Sequence, residues 1–311
     1  MAFNIIKPTD KEIITTIIYL NFGKHGVGKT SLAFSAKNPI MLDFDNAGYR
    51  AREFKKDRIN ITDWQKDIVD NYKDFDTFFE GYDTIIIDTP DAALEKLGAY
   101  IINKDSKYAQ QKWKLQFYGV LKDDFLRFLA VLRSLGKDIV MCAHAKEKEE
   151  NNCTYSKPQI TGGANDFIMR KADYISFHSI KNNKRTIDFR PTDEHEGKSD
   201  AKYGIIEIPD LNKSPNFLAE LMIGMKESMG EIANSHNEVL DEIAGLKSVL
   251  AEVKDVKGLN AIIDMIRDKQ KPIKVPIWKL TQEKAFEIGM EYDKKTSEFV
   301  KIGKDFDKVG E

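Results

Sequence analysis

The apolar positions of this chain keep one rhythm up to about Asp210 and another beyond it. In the first part, short apolar runs alternate with amphipathic stretches, the pattern of a parallel sheet covered by helices. Thr15–Asn21, Ile40–Phe44, Thr84–Asp88, Ile139–His144, Tyr174–Ile180, Thr186–Phe189 and Gly204–Ile208 are the expected strands. Short polar turns such as Lys181-Asn182-Asn183-Lys184-Arg185 separate the last three, which predicts antiparallel pairing there. Phe117, Leu121, Phe125, Phe128, Leu129 and Leu132 share one helical face and predict a long helix over Leu115–Leu135.

A break falls at Asp210–Ser214, and Ser214-Pro215 reads as a helix start. Leu218, Met222, Met225, Met229, Ile232, Val239, Ile243, Leu246, Leu250 and Val253 then recur at alternating spacings of four and three, with His236 the polar member. That register predicts a coiled-coil seam about 54 Å long. Gly224, Gly230 and Gly245 oppose it, each by about 1 kcal/mol against alanine. Lys257-Gly258 reads as a helix stop, followed by a short helix over Leu259–Lys269, a proline-bounded linker and a hairpin around Asp293-Lys294-Lys295-Thr296. The expected division is therefore a nucleotide-binding domain over 1–211, a long helix over 212–258 and a small terminal segment over 259–311.

The most specific motif follows the first predicted strand. Gly23-Lys24-His25-Gly26-Val27-Gly28-Lys29-Thr30 fits the phosphate-binding pattern G-x-x-x-x-G-K-[ST], and the residues from Ser31 onward can open a helix. Glycines let the backbone curl until its N–H groups point at phosphate oxygens. Gly23 to Ser31 is thus the expected nucleoside-triphosphate loop, with Lys29 as the cation for the outer phosphates and Thr30 as a hydroxyl ligand for Mg2+. Asp88 ends an apolar strand and suits the second magnesium position, reached through water; the plainer alternative is a turn-forming acid. Asp45 ends another strand and is the candidate base or orienting group for an attacking water, equally readable as a helix cap. His144, closing a third apolar strand at the same sheet edge, can touch a γ-phosphate, although a strand-end histidine is more often structural. Lys104, Lys107, Tyr108, Lys112, Trp113 and Lys114 interleave cations with aromatics, a combination that suits single-stranded nucleic acid and also fits a solvated helix face. Ala145–Gly163 is too long for a plain connection, and a loop of that length is either functional or disordered.

Composition narrows the picture little. The chain has 311 residues, 41% of them apolar, enough for one large domain or two ordinary ones. It has no apolar run of the roughly 18 residues that would span a membrane and no secretion signal. Cys142 and Cys153 show no metal-ligand spacing, and Cys142 lies in an apolar run, so a reduced, cytoplasmic protein is expected. A net charge of −2 carries no global nucleic-acid signature, so any DNA contact must come from local loops.

The order of these motifs resembles that of the RecA/RadA-type ATPases, and more narrowly the short phage-encoded nucleotide-binding proteins of the single-strand annealing type, over roughly residues 5 to 210. The resemblance implies an α/β fold: a RecA-like P-loop core with a mostly parallel sheet and antiparallel terminal strands, followed by a helical, coiled-coil-like C-terminal region. It also implies a magnesium-dependent ATPase, stimulated by DNA, that forms a homo-oligomer on single-stranded DNA and promotes annealing or recombination in a host cytoplasm. On this resemblance Asp45 stands at the catalytic acid, Asp88 at the magnesium-binding acid and His144 at the polar γ-phosphate sensor. Thr161-Gly162-Gly163-Ala164 resembles the end of a mobile DNA-binding loop, which puts Lys146, Lys148, Lys157, Gly162 and Gly163 among the DNA contacts. Arg185 belongs to a segment similar to the basic hairpin that reaches a neighbour's nucleotide. A single-strand-binding or other replication protein is the expected partner of the C-terminal region. Asp45 is shorter than the family's glutamate, which puts the hydrolysis rate in question. Lys24-His25-Gly26-Val27-Gly28-Lys29-Thr30 is also similar to the loop of ParA/MinD-type ATPases, whose early lysine crosses a dimer interface. A third alternative is a non-enzymatic, nucleotide-gated scaffold assembling through the C-terminal helix.

Overall fold

Burial along whole strands, rather than on alternate residues, marks a sheet covered on both faces, and β1 (Ile18–Gly23), β2 (Pro39–Asp43) and the Thr84–Asp88 strand are buried throughout. The computed structural model describes residues 13–150, 153–161, 163–200, 202–269 and 271–302. It forms two compact units that divide at Met229/Gly230. The first continues from β1 through α1 (Lys29–Ala33), β2, β3 (Arg58–Asn60), α2 (Phe75–Phe78), β4 (Thr84–Asp88), α3 (Pro90–Lys104), α4 (Lys114–Ser134) and β5 (Asp138–Glu150). Then come β6 (Cys153–Pro158), α5 (Ala164–Lys171), β7 (Tyr174–Lys181), β8 (Lys184–Asp188), β9 (Ile205–Glu207) and the first turns of α6 (Phe217–Glu252).

The sheet order is β3-β2-β4-β5-β1-β7-β8-β9. Pairings are parallel from β3 to β7, and β8 and β9 join antiparallel. The fold class expected from the sequence is therefore the one observed. β4 splits its isoleucines by the pleat: Ile85 and Ile87 face the α3–α4 side with Phe125, Phe128 and Leu132. Ile86 faces the other side with Leu32, Met41, Leu218 and Met222. Because β5 lies between β1 and β4, residues at the C-terminal ends of these strands share one edge: Gly23 is opposite His144, and Asp88 opposite Cys142.

Several expectations need correction. Ala145–Gly163 is largely a hairpin, not an irregular loop: β5 runs on to Glu150 and pairs antiparallel with β6. The alternating charges of Lys146-Glu147-Lys148-Glu149 hide a strand that is solvated on both faces. α6 does not take its cap from Ser214. Its early N–H groups are met by Ser35, with Leu218 N donating to Ser35 Oγ at 3.1 Å and Ala219 N to Ser35 O at 3.0 Å. The seam also does not form one continuous stripe. Leu218, Met222 and Met225 are buried in the core of the first unit, whereas Leu250 and Val253 are buried in the second, with Ile243 and Leu246 against them. The side chains of Ile232, His236 and Val239 fall outside the described residues. Gly224 permits close approach, since a Cβ there would lie 2.9 Å from the Tyr203 hydroxyl.

The second unit holds the rest of α6 with α7 (Val256–Ile266), α8 (Lys271–Glu287), β10 (Met290–Asp293) and β11 (Glu298–Lys301). Gly258 lies in the first turn of α7 rather than stopping a helix, because Asp255 caps that helix by accepting from Gly258 N at 2.8 Å. The proline-bounded segment is helical too, with Pro276 inside α8. The hairpin is where the turn residues put it. No helix among the described residues is long and apolar enough to cross a membrane.

A candidate nucleotide site

Gly23-to-Thr30 forms a tight turn between β1 and α1. A Cβ on Gly23 would stand 2.2 Å from the His178 carbonyl oxygen, and Gly28 sits at φ 106, so only glycine fits either place without strain. Lys29 is buried under this turn. Its Nζ donates to the carbonyls of Gly23 and Lys24, each at 2.9 Å, and lies 3.5 Å from His144 Nδ1. Burial lowers the Lys29 pKa, opposed by the nearby Asp88 carboxylate. Thr30 Oγ1 donates to Asp88 Oδ2 at 2.7 Å. Burial raises Asp88 to about 6, the Thr30 bond lowers it, and the neighbouring Asp43 raises it further. A hydroxyl and a buried acid in this relation are the donor set a hard divalent cation takes, so Thr30 and Asp88 fit magnesium.

A cavity of about 510 Å³ opens here, lined by His25, Gly26, Gly28, Lys29, Thr30, Ser31, Asp45, Ala47, Ala51, Phe54, Asp88, His144 and Arg185. Asp45 reaches it from the end of β2, with Oδ2 3.9 Å from His144 Nε2. The two acids of Asp43-Phe44-Asp45 have divided roles. Asp43 is buried and accepts from the backbone N–H groups of Ala47 and Gly48 at 3.0 and 2.9 Å, so it holds the turn that carries Asp45. His144 stacks on His25 with ring centroids 3.8 Å apart. Burial, then Lys29 and His25, push His144 down to about 4, so the imidazole is neutral near pH 7. A neutral ring with Nδ1 turned to the lysine carries its proton on Nε2, the side facing Asp45.

Arg185 lines the cavity of its own chain, and its Nε donates to the Val27 carbonyl at 3.0 Å. β8 lies beside β7, which lies beside β1, and this adjacency carries the hairpin residue back over its own loop. Lys24 stands outside the lining and pairs with Glu147 of the β5–β6 hairpin at 2.6 Å. Val27 is buried. His178 is a site residue the sequence reading missed. It is buried behind the loop with Nδ1 3.3 Å from Asn21 Nδ2. Two polar residues, Ser176 and His178, in the otherwise apolar run Tyr174-Ile175-Ser176-Phe177-His178 were the available signal. Ala47, Ala51 and Phe54 supply the cavity's apolar part, and nothing in their local sequence marks them.

The residues expected to touch DNA fall into two places, neither of them in the cavity lining. Lys107 lies 4.7 Å over the Tyr108 ring and 5.9 Å over Trp113, and pairs with Asp105 at 2.5 Å. Lys112 also stands over Trp113, and Lys104 over Tyr100. Lys146 and Lys157 are direct cross-strand neighbours at the base of the β5–β6 hairpin, and both line a second cavity of about 520 Å³. Lys148 lies farther out on the hairpin. Gly163 precedes α5, and Gly162 lies outside the described residues.

A lysine-centred glycine turn after a buried parallel strand, whose threonine faces a carboxylate from a non-adjacent strand, defines a P-loop nucleoside triphosphatase domain. The AAA domain family matches residues 15–200, and the chain belongs to that family. Among solved structures, a KaiC-like protein from the hyperthermophilic archaeon Pyrococcus horikoshii is similar at 14% identity and a TM-score of 0.35, over 62% of this chain and 89% of that one. No curated protein matches in sequence.

Proposed function

We propose that the protein is a magnesium-dependent ATPase that works as a homo-oligomer on single-stranded DNA and promotes annealing or strand exchange. The observation that carries this reading is the continuity of β5. One strand runs from His144 in the nucleotide cavity to Lys146, which faces Lys157 across the hairpin. Like charges directly opposite one another destabilise a strand pair, and an anion between them removes that repulsion. A phosphodiester backbone is such an anion, and His144 links it to the phosphates. In the reaction, Lys29 leaves the Gly23 and Lys24 carbonyls for the outer phosphates. Thr30 and, through water, Asp88 would hold a magnesium ion, which would supply charge neutralisation on the phosphate oxygens. Asp45 orients the attacking water and takes its proton, and the neutral His144 donates through Nε2. Arg185 adds a cation from the same chain.

ATP turnover measured alone, with single-stranded DNA and with duplex tests the reading. Single strands should raise turnover above duplex, and Asp45→Asn should abolish hydrolysis while nucleotide binding persists. Greater stimulation by duplex, together with a collapse of turnover in Lys24→Ala, would transfer the protein to the ParA-type class. The Lys24–Glu147 pair within one chain supports a change of only a few-fold in that variant.

A further inference from the structure

The second unit carries a surface that the nucleotide site does not use. α7 and α8 are joined by a short turn starting at Arg267, and the β10–β11 hairpin follows α8 at once, reversing through Lys294 and Lys295. Helix, turn, helix and two-stranded wing is a succession in which the second helix can enter a groove of DNA. The unit has its own core, with Leu259, Ile262, Ile266, Ile277 and Phe299 buried together. Trp278 of α8 packs on Tyr292 of the hairpin at 4.7 Å, and Phe299 N donates to Asn260 Oδ1 at 2.7 Å, so the wing is fixed to both helices.

α8 buries Ile273, Ile277, Thr281 and Ala285. Its opposite stripe, at i, i+4, i+8, i+11 and i+15, is Lys271, Val275, Lys279, Gln282 and Phe286, all exposed. Val275 is 61% and Phe286 80% exposed, so neither contributes to the core. No acid occurs between Asp268 and Glu283. Lys271 and Lys279 have no ion pair among the described residues. A protein-docking stripe is depleted of charge at its centre, whereas Lys279 sits in the middle of this one. Cations for phosphates or guanine edges, an amide for adenine and apolar groups for thymine methyls are the set that reads a major groove.

We propose that α8 docks in the major groove of duplex DNA through this stripe, with Lys294 and Lys295 of the wing on the adjacent backbone. This site is separate from the single-strand contacts proposed for the ATPase unit. The test uses the full chain and a fluorescent duplex of about two helical turns, with a single strand of the same length as control. Lys271→Glu/Lys279→Glu should lose at least about tenfold in duplex affinity near 50 mM salt, and Lys271→Gln/Lys279→Gln should flatten the slope of log K against log salt by about 1.8. Single-strand affinity and ATP turnover should remain within about twofold of wild type. Unchanged duplex affinity in the charge-reversed chain overturns the proposal and leaves the stripe to a protein partner. Equal losses on duplex and single strand also overturn it, because they would merge the two sites. Both lysines are exposed, so unchanged melting curves are expected of all variants. An inactive ATPase would count against the proposed nucleotide turnover only, since duplex binding is read without nucleotide.

Discussion

Asp88 keeps its proton to about pH 6 because burial penalises the carboxylate more than the Thr30 hydrogen bond relieves it. The unfolded chain ionises this acid near its ordinary 3.8, so between that value and about 6 the folded state holds a proton that the unfolded state has lost. Stability from this group therefore falls as pH rises through that window and stays low above it, by on the order of 3 kcal/mol. Magnesium would reverse the balance, since a cation at Thr30 and Asp88 would favour the ionised form. Asp88→Asn should accordingly melt several degrees higher than wild type at pH 7 without ligand, nearly match it below pH 4, and lose the extra stabilisation that magnesium adds to bound nucleotide. Melting curves across pH, with and without Mg2+, read all three, and a variant less stable than wild type at pH 7 would show that the carboxylate is satisfied as an anion. The same burial keeps His144 neutral, so it accepts from Lys29 instead of repelling it.

The β5–β6 hairpin is the element that joins chemistry to a distant surface. Its return strand is anchored: Ser156 N donates to Glu194 O at 2.8 Å, and Glu196 N to Ser156 O at 3.1 Å. Shortening it would disturb those bonds, so the cleaner probe is Lys146→Ala/Lys157→Ala. Removing two facing cations should stabilise the hairpin slightly while weakening single-strand binding about tenfold or more. The salt slope on single strands should shrink by about 1.4 for two lost contacts. Nucleotide affinity should not change, because neither lysine lines the nucleotide cavity. Unchanged single-strand affinity would separate the hairpin from DNA altogether.

At the scale of the whole chain, α6 belongs to two cores at once. Its first turns complete the ATPase unit, where Leu218, Met222 and Met225 are at most 2% exposed. Lys226 pairs with Asp138 at 2.6 Å beside them. Removing such side chains costs on the order of 2–5 kcal/mol each. A chain ending at Leu211 should therefore aggregate or lose cooperative melting, whereas one ending at Met229 should stay folded and bind nucleotide with wild-type affinity. Thermal melts and nucleotide titrations of the two truncations decide this, and equal stability would mean that α6 is dispensable to the core.

The local pattern of residues by itself determined the β1–loop–α1 motif, Asp88 at the end of β4, the antiparallel β7–β9 strands and the terminal hairpin. Each of these follows from contacts or backbone conformations within a few residues: glycine's access to positive φ, an apolar run, a polar turn. Tertiary structure alone decided that Ser35 caps α6, that the heptad register is shared between two cores, that Arg185 turns back over its own phosphate loop and that His178 lies behind it. In those cases the deciding partner lies far along the chain, as Ser35 is from Leu218, and a local window contains only one member of the pair. A heptad shows that an apolar stripe must be covered; what covers it depends on where the sheet places the other surfaces.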